Sequence, residues 1–165
     1  MKTLFIAFRA ALYGTVFVLL WSWLAVSIRV YDRRLPVSVP PRIAPLGLVA
    51  MGLGALLALG CVTTFALRGR GTPAPFDPPR VFVASGPYRF VRNPMYLGAW
   101  LLLAGFGLFE GSASVLLLSF VMLLAAHLFV VFVEEPGLES RFEKTYLEYK
   151  ATTNRWIPRR PGGPS

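Results

Sequence analysis

Four stretches of this chain carry almost no charge, and that constrains what it can fold into more than any single residue does. Residues 4–28 are apolar except for Arg9, 43–67 and 111–133 hold no charged side chain, and Pro94–Phe109 is a shorter run of the same kind. Soluble helices and strands alternate apolar with polar positions, whereas unbroken apolar runs of this length suit segments whose solvent is lipid. In hydrocarbon every backbone N–H and C=O must be satisfied within its own segment, so the runs are expected to be helices. The expectation is an all-α polytopic membrane protein with four transmembrane helices. The third run, at 16 residues, reaches roughly 24 Å against a hydrocarbon core of about 30 Å, so it is expected to start in the interface or to bend at Gly105 or Gly107. A secretory leader is the lesser reading of the first run, because its apolar stretch exceeds the usual length.

Charge then orients the spans. The net charge of +9 would point a soluble protein toward nucleic acid, but here the cations flank apolar runs, where membrane orientation and anionic headgroups explain them. No nucleic-acid partner is expected. With four spans, the amino terminus, the 68–93 connection and the carboxyl tail share a side and hold 13 of the 17 Lys and Arg residues. The positive-inside rule places that side, with both termini, in the cytoplasm.

Prolines 36, 40 and 41 break the first connection, and glycines and prolines fill the second, including the turn signal Gly86-Pro87. The third, around Glu110-Gly111-Ser112, is so short that the third and fourth runs must form an antiparallel hairpin. Its cytoplasmic mouth brings Arg92-Asn93-Pro94-Met95-Tyr96-Leu97-Gly98 beside Glu134-Glu135-Pro136. Polar groups next to hydrocarbon are costly to desolvate, and a bound polar ligand is the leading explanation. Beyond Glu135, Leu138, Phe142, Tyr146 and Tyr149 fall on one face of an amphipathic helix. That helix either lies on the membrane surface or folds back as a lid, ending near Arg155-Trp156-Ile157-Pro158. The organisation read from this is an amino-terminal hairpin (1–67), a catalytic half (68–160) and a disordered tail (161–165).

His127 lies seven and eight residues before Glu134 and Glu135, broadly on one helical face, which suits a proton site. Too few further ligands are available for a metal, and none is expected. The lone Cys61 excludes an intrachain disulfide. Arg92 opposite two carboxylates suits a zwitterion, although a headgroup-level arginine and carboxylates capping the tail helix account for the same residues more plainly. Gly98 allows close approach of a ligand or of a neighbouring helix. Glycines 52, 54 and 60 pack within or between chains, so the oligomeric state stays open.

Gly86-Pro87-Tyr88, the 92–98 motif, Glu134-Glu135-Pro136-Gly137-Leu138, Phe142, Tyr146, Tyr149 and Arg155-Trp156-Ile157-Pro158 together resemble the isoprenylcysteine carboxyl methyltransferase and phospholipid methyltransferase group of integral membrane enzymes. The resemblance covers roughly residues 68–160 and implies S-adenosylmethionine bound near the cytoplasmic surface, with a lipophilic methyl acceptor entering from the bilayer. It implies cofactor contacts from Arg92, Asn93, Pro94, Tyr96, Gly98, Glu134, Glu135 and Tyr149. Glu135, His127 and Arg155 are the candidates for the catalytic chemistry. Isoprenylcysteine enzymes typically have histidine where this chain has Asn93, so the pattern looks more like the phospholipid amine enzymes. An NADPH-dependent membrane reductase and a noncatalytic scaffold or carrier remain the alternatives.

Overall fold

A computed structural model describes residues 2–65, 67 and 82–158, all of whose regular elements are helical. Two helices in it meet backbone to backbone. α1 spans Lys2–Ile28, α2 spans Ala44–Thr64 and α3 spans Pro94–Phe109. α2 and α3 run antiparallel with Gly47 against Gly105 and Gly54 against Gly98. A Cβ on Gly47 would stand 2.5 Å from the Gly105 carbonyl oxygen, and one on Gly54 2.7 Å from that of Gly98. Each pair of glycines is seven residues apart in its helix, which keeps both contacts on one stripe. Apolar side chains gain little by leaving lipid, so helix association there depends on close van der Waals contact, which small residues permit.

α3 ends at Phe109, and the chain reverses through Gly111 at φ 66°, a conformation that needs no Cβ. The Ser112 and Gly111 N–H groups return to the carbonyls of Gly107 and Leu108, satisfying two otherwise free acceptors of the helix end. α4 (Ala113–Phe129) starts at once, giving the antiparallel hairpin expected from the short connection.

α1 is anchored to this hairpin at one end. Asp32, in the 3-10 turn Arg29–Arg34, accepts from the Ser112 hydroxyl at 2.7 Å and from the Ser114 N–H at 2.8 Å. The first N–H groups of a helix lack internal partners and carry partial positive charge, so this carboxylate from a distant turn completes the cap that Ser112 begins. Arg29 pairs with Glu110 at 2.7 Å, and behind these contacts Ala25 packs with Leu103, Val115 and Met122. Toward its other end α1 stands away from α3 and α4, with Val16, Val18 and Leu19 exposed. The prolines of the first connection do confine it to short 3-10 turns, the second at Pro41–Ile43.

The fourth apolar run does not stop before the tail. α4 passes through a π-helical turn, Val130–Glu134, into α5 (Glu135–Thr152), making one continuous rod. Pro136 has no N–H and its ring crowds the preceding turn. Widening that turn, with the Glu135 N–H bonded to the Val130 carbonyl five residues back, lets the helix continue. α5 then bends at Glu143, whose φ is 41°.

Three segments, Gly14–Arg34, Pro41–Thr64 and Ala113–Thr152, are long and apolar enough to cross a membrane, and Pro94–Phe109 is a shorter apolar helix. The second connection is described only from residue 82, and the expected tail disorder at 161–165 lies outside the described residues.

Candidate active site

The start of α3 is fixed by the chain beyond α5. Pro94 occupies the first turn of α3, where its missing N–H costs nothing, and is fully buried. The Arg92 N–H donates to the Asn154 carbonyl at 2.9 Å, and the Asn93 side-chain amide donates to the Arg155 carbonyl at 3.4 Å. Trp156 donates its indole N–H to His127 Nδ1 at 3.0 Å. The 153–158 segment thus straps the start of α3 and the end of α4 together.

Glu135 is the hub of the site. Arg155 holds it with Nε on Oε1 at 2.7 Å and Nη2 on Oε2 at 2.9 Å, the planar two-point match that guanidinium and carboxylate permit. Arg92 Nη2 reaches Oε1 at 3.2 Å and Lys150 Nζ approaches Oε2 at 3.6 Å, with Glu139 also paired to Lys150. The Glu135 hydrogen bond holds the Arg155 guanidinium above its ordinary pKa. Glu134, one residue earlier, has different company. Its Oε2 accepts from the Tyr96 hydroxyl at 3.0 Å, and among the described residues it forms no ion pair.

Aromatic side chains surround these carboxylates. Phe82 sits against Phe142, Tyr146 and Tyr149, with ring centroids 5.4, 5.8 and 5.1 Å away. Tyr149 donates its hydroxyl to the Tyr88 carbonyl, and the Tyr88 ring meets Phe65 edge-on at 5.2 Å. Burial holds the Tyr88 phenol well above its usual range, keeping it neutral.

Arg92, Asn93, Tyr96, Glu134, Glu135 and Tyr149 all line one cavity of about 920 Å³. Four other sequence-derived candidates lie outside its wall. Gly98 faces Gly54 and Ala58 of α2, Pro94 is packed beneath the helix start, Arg155 grips Glu135 from the side, and His127 is engaged by Trp156. From the polar mouth the cavity runs on between α1 and the α3–α4 hairpin, past Phe17, Trp21, Leu103, Phe106 and Met122. It therefore has a charged, aromatic end and an apolar arm. Sequence reasoning missed Phe82 and Lys150; nothing in the local pattern marks either one, because both join the site through the fold.

The phospholipid methyltransferase family model matches residues 43–145, from the start of α2 into α5. The chain belongs to this family. Its members are S-adenosylmethionine-dependent membrane methyltransferases acting on a lipid acceptor, so the protein is an enzyme of the bilayer that uses this donor. Membership decides against the reductase and scaffold readings. Comparison with curated proteins finds no match.

The residues fit the donor of a phospholipid methyltransferase. Arg92 lines the cavity with its side chain 9% exposed, yet its Nε and Nη1 are buried without a partner among the described residues. Leaving such donors unpaired costs free energy unless a ligand supplies the acceptor, which a carboxylate does well. The aromatic walls, and the Glu134 carboxylate that forms no ion pair among the described residues, are chemically suited to the opposite need, an onium charge.

Proposed function

We propose that the enzyme transfers a methyl group from S-adenosylmethionine, held at the polar mouth, to a lipid amine whose tail occupies the apolar arm. The unpartnered Arg92 nitrogens in the wall of a two-ended cavity carry this reading. Arg92 and Asn93 bind the amino-acid end of the donor, and Tyr96 and Glu134 face its positive centre. Tyr149 helps to close the mouth through Tyr88. Glu135 acts through others: by engaging Arg92, Lys150 and Arg155 together it sets the angle of the Arg92 guanidinium. Arg155 in turn holds Glu135, while His127 secures the strap through Trp156.

The donor supplies an electrophilic methyl group, and attack on it is in-line, so the chain must align two reactants and keep water out. The mouth walls of Phe82, Phe142 and Tyr146 exclude water, and the slot between α1 and α3 admits a lipid from the side. In this reading α1 to α4 cross the bilayer, and the 13 cations favour a cytoplasmic side for both termini and the mouth.

Isothermal titration of S-adenosylhomocysteine into detergent-purified protein tests the assignment. Arg92→Ala is expected to weaken binding at least tenfold, with helical content by circular dichroism showing that the variant is folded. Unchanged affinity in Arg92→Ala and in Glu135→Gln would refute the donor site.

A further inference from the structure

Two adjacent glutamates at one mouth invite the same role, but the structure separates them. Glu135 faces three cations, Arg92, Lys150 and Arg155, whereas Glu134 faces none among the described residues. Successive residues of a helix point roughly 100° apart, and the extra residue in the π-helical turn sets which direction each glutamate takes. Glu134 meets Tyr96 in the cavity wall, while Glu135 turns toward Arg155 of the strap.

We infer that Glu134, positioned by Tyr96, takes the proton from an amine headgroup before methyl transfer and selects amine over carboxylate acceptors. This rests on the methyltransferase reading above. A lipid ammonium has no lone pair to attack with, and an adjacent carboxylate is the general base within its reach. Tyr96 occupies Oε2, so Oε1 is left to receive the proton. The N–H bond breaks, its electron pair stays on nitrogen and the proton passes to Oε1. The freed pair forms the new N–C bond as the methyl carbon leaves sulfur, which keeps the C–S pair, and Glu134 later releases its proton to water. The groups that share the cavity wall with Glu134 are Tyr96 from α3, Tyr88 from the 3-10 turn Gly86–Arg89, Arg141 and Tyr146 from α5, and Glu135, already neutralised by its cations. A carboxylate acceptor beside Glu134 would meet a like charge, and no cation is paired to that glutamate among the described residues.

The test uses full-length protein in vesicles containing phosphatidylethanolamine, or a prenylated cysteine carboxylate as the competing acceptor. The wild type is expected to methylate the amine lipid in preference to the carboxylate. S-adenosylhomocysteine has no charge on sulfur for Glu134 to face, so Glu134→Gln is expected to bind it within about threefold of wild type, which also shows that it is folded, and to transfer methyl groups to the amine on the order of 100-fold more slowly. Its residual rate should rise about tenfold per pH unit as the free amine accumulates, over a range in which the wild type is nearly flat. Tyr96→Phe is expected to lie between them. A Glu134→Gln rate close to wild type, or a slow rate with no pH rescue, would overturn the inference. So would loss of S-adenosylhomocysteine binding at unchanged melting temperature, which would assign Glu134 to the donor alone. The parent reading fails differently, through a wild type that binds no S-adenosylhomocysteine or methylates no lipid.

Discussion

Removing Glu135 leaves the Arg92 charge without its partner in a place water scarcely reaches. The Glu135 side chain is 6% exposed and that of Arg92 9%, so both ends of this ion pair are desolvated. Deleting one partner of a buried pair costs about 3–5 kcal/mol, most of it the stranded charge and not the lost attraction. At about 2–4 °C per kcal/mol for a chain of this size, Glu135→Ala should lower the melting temperature by roughly 6–20 °C. Lys150 touches the same carboxylate from 3.6 Å with 37% of its side chain exposed, so water screens it. Lys150→Ala should therefore cost less than about 1 kcal/mol. The decisive comparison is the double variant Glu135→Ala/Arg92→Ala. If stranded charge dominates, the second substitution recovers part of the loss, giving a favourable coupling in the double-mutant cycle. Melting is followed by circular dichroism in one detergent at fixed pH. Additive losses, or a Glu135→Ala melting point within about 2 °C of wild type, would refute the buried hub.

Gly54→Ala and Gly105→Ala should each destabilise by about 1–3 kcal/mol, because their new methyl groups meet helix backbone at 2.7 Å. Gly52→Ala, with nothing within 4 Å of its Cβ, should be neutral or stabilising by up to about 1 kcal/mol in the same melting assay. Asp32→Ala should lower stability by about 1 kcal/mol through loss of the α4 cap, while S-adenosylhomocysteine titration shows unchanged affinity. His127→Phe should lose about 1 kcal/mol with the Trp156 hydrogen bond and keep most of the methyl transfer rate; a fall of 100-fold or more would restore His127 as a proton carrier.

The apolar runs and the short Glu110–Ser112 connection make the helices and their hairpin legible in the sequence, since both follow from backbone chemistry in lipid. Hairpin geometry alone also brings Tyr96 and Glu134 together. The features hidden from sequence depend on local departures from regular helix and on distant packing. Steps of seven and eight assume a uniform helix, and the turn at Val130–Glu134 shifts that register by one residue. The heptad-spaced glycines of α2 and α3 are visible in sequence, but which helix meets which is not, so Gly98 reads equally well as a ligand contact. Asp32 looks like an idle loop residue because its role exists only beside Ser112 and Ser114, 80 and more residues away.

The two walls of the slot are built differently. α2 and α3 are locked through their glycines, whereas the described contacts of α1 with the hairpin gather near Ala25 and Asp32, and Val16, Val18 and Leu19 are exposed. In the proposed reading, a small change in the tilt of α1 would accommodate lipid chains of differing length without disturbing the residues assigned to the donor. Breadth toward lipid tails and strictness toward the reacting headgroup belong to different parts of the molecule.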